Sequence, residues 1–275
     1  MKKIVVAVLA IAGLAGASNA FAGESAILAA NNQIGIQIIS TNVDYTETGN
    51  GVFGSPTGTL DTEKGSVPGF ALSISTMQDV WLGNDYIEAE YDHSKGNTNY
   101  VGGLIGLPPT PYGSVTATST AVLENYSARY GKGFVVSDKT MLTPYAELGH
   151  HEWDRGVNQG EVYTNNYYGL GVLAQYSPAS KLVLSANLMA GSTFSSNIVV
   201  NSVFSGALGN STLARIGVAA DYAITQNFHG NIGVDYTSFS YGISGFYPAG
   251  GSFVAWEPDS KTKYTTAKVG FGYAF

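Results

Sequence analysis

The chain has 275 residues, of which only 12% are charged, and its formal net charge of −7 excludes a typical nucleic-acid-binding surface, which is basic. After its first 22 residues it has no apolar run of about 18 residues, which excludes a helical membrane protein. Its 18 Tyr, 12 Phe and 35 Gly, together with the scarcity of charged helix formers, favour β-strands, and the absence of Cys is compatible with a periplasmic passage in which no disulfide is needed.

The first 22 residues have the pattern of a removable export signal. Lys2 and Lys3 supply a positive start, residues 4–15 are apolar, and residues 20–22 (Ala-Phe-Ala) form a small-x-small cleavage site. We therefore expect cleavage after residue 22, export through the periplasm and a single mature domain over residues 23–275. Loss of two lysines and no acid takes the net charge from −7 to −9.

Segments of alternating apolar and polar residues recur along the mature chain. A strand that crosses lipid places apolar side chains outward and polar or small ones inward, so alternation is the expected signal of a transmembrane barrel. In chain order the segments are 33–45, 69–77, 86–91, 118–135, 141–153, 163–176, 181–193, 213–223, 228–239 and 264–275. The sequence predicts an all-β fold, a transmembrane antiparallel up-and-down β-barrel of about ten strands.

Short and long connections alternate between these segments. The short ones (78–85, 137–140, 177–180 and 225–227) are typical of periplasmic turns, and the long ones (near 46–68, 92–117, 154–162, 194–211 and 240–263) of extracellular loops. Both chain ends then lie on the periplasmic side, which requires an even strand number. Eight or twelve strands satisfy this too, because residues 51–62 and 245–256 either extend hairpins above the membrane or add a pair.

The alternation fails locally in the fourth segment, where Glu124 and Lys132 share the parity of outward-facing aromatic residues. Two explanations are open. Either both charges lie near the lipid boundary, where they cost little, or a bulge shifts the register.

The last segment carries a specific resemblance. Ala267, Val269, Phe271, Tyr273 and Phe275 share one parity, and this terminal strand resembles the carboxyl-terminal assembly signal of bacterial outer-membrane barrels. The resemblance implies that the barrel-assembly machinery is a partner during biogenesis, with Phe271, Tyr273 and Phe275 as the recognised residues.

Residues 142–149 (Leu-Thr-Pro-Tyr-Ala-Glu-Leu-Gly) and 167–171 (Tyr-Tyr-Gly-Leu-Gly) resemble the mid-barrel hairpins of the small porin-like and opacity-like outer-membrane family. That family mostly has eight strands, so a count of ten departs from it. The resemblance carries no active-site motif.

The parity of the strands predicts which charged residues face the lumen. They are Glu88, Glu90, Arg129, Glu147, His151, Arg215, Asp221, His229, Asp235 and Lys268. Since buried charges persist only when they are paired, we interpret them first as a structural ion-pair network. The alternative is a narrow or gated pore whose selectivity these residues determine. A wide porin is disfavoured, because about 16 strands are needed for one.

Two clusters near long loops bear on an enzymatic alternative. They are His150, His151, Glu152 and Asp154, and Asp92, His93 and Ser94. Neither matches the motifs of omptin proteases or lipid A deacylases, so we expect no enzyme. We also expect no metal site, because adjacent histidines on a strand point to opposite faces.

The loops offer the other candidate for function. Phe246, Tyr247, Phe253 and Trp256 form either a contact patch for a host or surface ligand or part of an extended hairpin. The sequence thus favours a surface-exposed structural or adhesin-like outer-membrane protein. A small or gated channel is the alternative, and an outer-membrane hydrolase comes third. We expect no cofactor and no nucleic-acid partner, and lipid and lipopolysaccharide are expected partners from location alone.

Overall fold

The structure, a computed structural model, describes residues 23–51, 56–103, 110–158, 160–248 and 254–275. The predicted export signal lies outside the described residues. Within them the elements are one helix, α1 (Glu24–Asn31), and the strands β1 (Gln33–Asn50), β2 (Thr57–Gln78), β3 (Asp85–Gly102), β4 (Val115–Lys132), β5 (Phe134–Ser137), β6 (Thr140–Arg155), β7 (Glu161–Ala179), β8 (Leu182–Val200), β9 (Phe204–Ala207), β10 (Thr212–Ala223), β11 (Phe228–Tyr241), β12 (Tyr247–Pro248), β13 (Val254–Ala255) and β14 (Asp259–Ala274). No helix of the described part is long and apolar enough to cross a membrane.

The ten long strands close into a barrel. Their order is β1, β2, β3, β4, β6, β7, β8, β10, β11 and β14, every neighbour is antiparallel, and β14 pairs with β1 to complete the ring. The prediction of an all-β, ten-stranded up-and-down barrel is therefore confirmed, and eight and twelve strands are not. Closure gives hydrogen-bond partners to the backbone N–H and C=O groups at the strand edges, for which lipid offers none.

Several strands extend further than their apolar alternation. β2 begins at Thr57 rather than 69, and β3 continues to Gly102 rather than ending at 91. Much of what the sequence assigned to two long loops is therefore paired strand. The outward residues of these extensions are polar, so the ladder continues where the hydrophobic signal has ended.

The outward face of the barrel carries a continuous belt of exposed apolar side chains, here called the apolar band. Ile38 is 72% exposed and Leu170 is 73% exposed, although both lie in the middle of well-paired strands. An apolar surface of this extent is lipid-facing rather than water-facing. Its members include Ile34, Ile36, Leu72, Ile74, Ile87, Tyr126, Tyr130, Leu142, Leu148, Val172, Leu184, Leu188, Ile216, Val218, Val269 and Phe271.

The structure decides between the two explanations for the fourth segment. Pairing of β3 with β4 runs without a register shift from Asp85↔Lys132 to Gly102↔Val115. No bulge is therefore present in this pair of strands. Glu124 and Lys132 point outward at either end of the outward-facing residues Tyr126, Ala128 and Tyr130. They therefore lie near the lipid boundary, where the free-energy cost of a charge is small.

The two ends of the barrel differ. The end with the four short turns and with residues 33 and 274 is here called the turn end, and the opposite end the loop end. α1 lies inside the turn end, with Ile27 fully buried. Asn31 and Gln175 exchange two amide hydrogen bonds of 2.8 Å, and the Asn32 carboxamide oxygen accepts the Met77 N–H at 3.0 Å. The helix therefore occupies the turn end of the lumen.

Candidate functional site

The lumen is organised around Glu147 on β6, which is buried. Its carboxylate accepts hydrogen bonds from Arg129 Nε at 2.5 Å, from Arg215 Nη1 at 2.6 Å and from the Tyr167 hydroxyl at 2.9 Å. The three donors come from three different strands. One carboxylate thus ties together two cations across the barrel.

This central network extends to the neighbouring strands. Arg129 also pairs with Glu88 at 3.1 Å, and the Tyr86 hydroxyl donates to the same carboxylate. Arg215 donates to Tyr167 at 3.0 Å and to Thr237 at 3.2 Å. Arg129 therefore meets two carboxylates and the face of the Tyr145 ring, and Arg215 meets a carboxylate, two hydroxyls and the face of the Tyr167 ring. Such partners stabilise a buried arginine.

Lys268 forms a second group of lumen ion pairs. Its ammonium lies 2.7 Å from Glu90, 3.3 Å from Asp235 and 3.9 Å from Asp92. Three acids thus surround one cation. A cavity of about 60 Å³ lies between this group and the central network, with Lys268, Glu90 and Arg215 in its lining. It is large enough for a few water molecules.

Asp221 and His229 form a third group, close to α1. Their side chains are 2.5 Å apart, and the Gln33 amide lies 3.1 Å from each of them. Of the ten lumen residues predicted from parity, nine therefore take part in charged or polar pairs inside the barrel.

His151 faces the lumen but has no ion-pair partner among the described residues. Its ring is stacked between Tyr167, at a centroid distance of 4.6 Å, and Phe239, at 5.0 Å, and Nδ1 lies 3.3 Å from Asn165 Oδ1. The prediction that it belongs to the ion-pair network is wrong. Parity predicts the face of a side chain but not its neighbours.

A further charged cluster lies nearer the loop end and was missed in the sequence. Arg155 is fully buried and pairs with Glu63 at 2.9 Å, Glu161 at 2.9 Å and Asp61 at 3.6 Å. Its guanidinium also lies over the Tyr45 ring at 4.5 Å. These residues fall in stretches assigned to loops, where no parity could be read. The continued β2 and β7 ladders bring them inside.

Glu47 and Glu257 add two more buried carboxyl groups to this cluster. Burial and the neighbouring Glu161 raise the pKa of Glu257 to about 8, while burial raises that of Asp61 to about 6 against the opposing effect of Arg155. Burial and Glu257 raise the pKa of Glu47 well above its usual range. Five acids lie around one arginine, so repulsion between buried carboxylates favours the protonated form of some of them.

Glu257 belongs to the connection between β11 and β14 at the loop end of the barrel. The Tyr163 hydroxyl donates to its carboxylate. Its backbone N–H donates to Ser244 Oγ at 2.7 Å, and its carbonyl accepts the Ser244 N–H at 2.9 Å. Ser244 and Glu257 are therefore hydrogen-bonded to each other, and Glu257 connects the pair to the Arg155 cluster through Tyr163. These two residues are here called the strap.

The aromatic residues predicted as a loop patch are only partly together. Phe246 lies 5.9 Å from Trp256, whereas Tyr247 stacks on Phe204 at 5.3 Å. Phe253 lies outside the described residues. Because β12 pairs with β13, Tyr247 belongs to a short hairpin rather than to an extra pair of barrel strands.

The two enzymatic candidate clusters are not assembled. Asp92 faces the lumen beside Lys268, while His93 points outward and lies 3.1 Å from Glu124. Ser94 is buried. His150 and His151 lie on opposite faces, since His150 points outward to Asn166 at 2.9 Å. Glu152 and Asp154 share its outward parity. Among the described residues no group of three or more acidic, His or Cys side chains could hold a metal ion.

The terminal strand is displayed on the outward face. Phe271, Tyr273 and Phe275 are 60%, 48% and 59% exposed, and Phe271 lies opposite Ile36 on β1. The Phe275 N–H donates to the Asn32 carbonyl at 3.1 Å, and this hydrogen bond joins the residue before β1 to the residue after β14.

Comparison with solved structures yields outer-membrane β-barrels. The outer-membrane protease OmpT from Escherichia coli matches with a TM-score of 0.60 at 11% identity, over 89% of this chain and 97% of that one. OprG from Pseudomonas aeruginosa (TM-score 0.33, 13% identity, 89% and 98%) and Ail from Yersinia pestis (0.32, 13%, 89% and 99%) also match. At these identities the likeness to OmpT shows the fold alone. No family model and no curated protein matches the sequence.

Proposed function

We propose that this outer-membrane-type barrel is a surface protein whose lumen is closed to solutes and whose loop end carries the interactions. The lipid-facing apolar band and the shared fold of OmpT support an outer-membrane location. The turn end is then periplasmic, and the loop end extracellular. The same proposal includes two steps of biogenesis. The first is export directed by residues 1–22, which are then removed, and the second is delivery to the barrel-assembly machinery through Phe271, Tyr273 and Phe275.

The observation that carries this proposal is the cross-lumen junction at Glu147. Arg129 and Arg215 reach the same carboxylate from separate strands, so that side chains bridge the middle of the barrel. α1 occupies the lumen on the periplasmic side, and the Arg155 cluster occupies it on the other. An open pore requires a continuous aqueous path, and side chains that meet at three successive levels of the lumen support the proposal that no such path exists.

A small gated channel is the second candidate, favoured by the cavity of about 60 Å³ between Lys268 and Arg215. It would require the strap and α1 to move together. A hydrolase remains the third, because OmpT is a protease. Support for it is weaker, since His93 and Asp92 lie on opposite faces of β3.

Solute influx into liposomes tests the proposal. Refolded protein of residues 23–275 is compared with a variant lacking residues 24–31 and carrying Arg155→Ala and Arg215→Ala, which changes all three levels. We expect the wild type to exclude small sugars, while the modified barrel admits them at a measurably higher rate. Sugar influx through a folded, fully inserted wild type, at a rate equal to the variant's, would contradict the closed lumen.

A further inference from the structure

The positive charges of the mature chain occupy three separate regions. The chain has eleven Lys and Arg residues after residue 22, all of them described. Four face the lumen, namely Arg129, Arg155, Arg215 and Lys268, and three lie toward the turn end, namely Lys132, Lys139 and Lys181. The remaining four, Lys64, Lys95, Lys261 and Lys263, point outward on the loop-end side of the apolar band.

Those four outward lysines lie on three strands, two on β14 and one each on β2 and β3, and β1 runs between β14 and β2. Asp44 on β1 is paired in register with Lys64 on one side and Lys263 on the other, at 3.0 and 3.5 Å. One step further along, Thr46 lies opposite Lys261. Two lysines thus pair with one aspartate, and Lys261 is the next outward residue along β14. Asp259 follows it on the same face, so these five side chains carry one positive charge in excess.

The adjoining wall has the opposite charge. The outward residues of β4 and β6 at the same end include Glu124, Glu152 and Asp154. Glu124 and Glu152 are cross-strand partners. The outer wall near the loop end is therefore divided into a basic side and an acidic side, although the chain as a whole is acidic.

We propose that the basic face, formed by Lys64, Lys261 and Lys263 around Asp44, binds the phosphate groups of phosphorylated glycolipids in the leaflet that surrounds the loop end. The proposal rests on the proposed outer-membrane location and names the ligand chemistry of that surface. Lysine ammonium groups are point charges suited to phosphate, and Asp44 holds two of them in fixed positions.

The position of the basic face favours a lipid over a soluble polyanion. Along β14 the outward residues run from Phe271 and Val269 in the apolar band to Lys263 and Lys261 at its loop-end side. The lysines therefore stand on the side wall, separated from the apolar band by the outward residues Ala267 and Thr265, on the side where headgroup phosphates lie. A soluble polyanion would meet the loop end first, where the buried acids of the strap and the Arg155 cluster lie.

The test compares two charge-matched triple variants, Lys64→Gln/Lys261→Gln/Lys263→Gln and Lys132→Gln/Lys139→Gln/Lys181→Gln. Each is reconstituted in phosphatidylcholine vesicles containing either bisphosphorylated lipid A or its dephosphorylated form. The midpoint of thermal unfolding is measured by the change in electrophoretic mobility on heating. Parallel samples without lipid A receive inorganic phosphate or a sulphated polysaccharide.

We expect bisphosphorylated lipid A to raise the unfolding midpoint of the wild type and of the turn-end triple variant, and the loop-end triple variant to lose at least half of that rise. An equal rise in both triple variants would overturn the proposal, because symmetric vesicles offer phosphates at both ends of the barrel. So would a full rise with dephosphorylated lipid, inorganic phosphate or the polysaccharide. Solute influx into the same vesicles reports the closed lumen separately, so the two proposals can fail independently.

Discussion

Tyr167 lies directly across the β6–β7 ladder from Gly149, and its ring occupies the space that a Cβ at residue 149 would fill. Tyr145 has the same relationship to Gly171 on the opposite strand. The two glycines therefore let two tyrosine rings lie flat against the lumen wall. Tyr167 is thereby held where its hydroxyl meets Glu147 and Arg215.

Replacing Gly149 with Val should displace the Tyr167 ring and lower the free energy of unfolding by about 1–3 kcal/mol, the usual cost of overpacking. Urea unfolding of the refolded barrel in detergent micelles measures it. Gly230→Val is the matched control, since a Cβ there meets only Ile224 at 3.6 Å. Equal effects of the two substitutions would show that the Tyr167 position is not what Gly149 protects.

The pairing of Glu147 with Arg129 and Arg215 predicts non-additive mutations. Glu147→Leu leaves two buried guanidinium groups short of a partner and should cost about 3–5 kcal/mol of unfolding free energy. Adding Arg215→Leu removes one of those uncompensated charges, so the double variant should be more stable than Glu147→Leu alone. If the two single losses simply add, the three groups do not act as a unit.

The protons held by the cluster around Arg155 predict a pH dependence. The folded-state pKa of Glu257, about 8, lies above the ordinary glutamate value of 4.5, so folding favours its protonated form. Its contribution to stability is present in full below pH 4.5 and is lost as pH rises toward 8. Asp61, with a pKa of about 6, acts in the same direction at lower pH.

Glu257→Gln should therefore flatten the decline in the free energy of unfolding between pH 5 and 9 and stabilise the barrel most at the alkaline end. Chemical unfolding across that range measures the decline. Glu24→Gln, which alters an exposed acid of α1, serves as the control and should keep the wild-type slope. A Glu257→Gln profile as steep as the wild type's would place the titrating group elsewhere.

The strand number and the facing of residues were predictable because lipid imposes a strict alternation. Ile34 on β1 and Phe271 on β14, for instance, each follow the outward alternation of their own strand, because apolar side chains must face the hydrocarbon wherever a strand crosses it. Beyond the apolar band this constraint disappears. Asp61 and Arg155 lie on the parts of β2 and β6 beyond the apolar band, where most outward residues are polar. Inward and outward residues are therefore alike there, and the sequence shows no alternation.

The helix at the turn end shows a second limit. α1 has only a weak apolar face, and its place in the lumen depends on partners far along the chain, such as Gln175 for Asn31. His151 illustrates the same point, since its aromatic neighbours come from β7 and β11. Local periodicity indicates which face a residue takes, and long-range contacts decide what it meets there.

Single-channel conductance in a planar bilayer tests the closed lumen most directly. Refolded residues 23–275 are compared with Arg215→Ala and Asp221→Ala, with insertion shown by the change in electrophoretic mobility on heating. The wild type should give no stable conductance. Stable wild-type openings whose size changes in Arg215→Ala and Asp221→Ala would instead show that ions pass these side chains, and that the barrel is a pore.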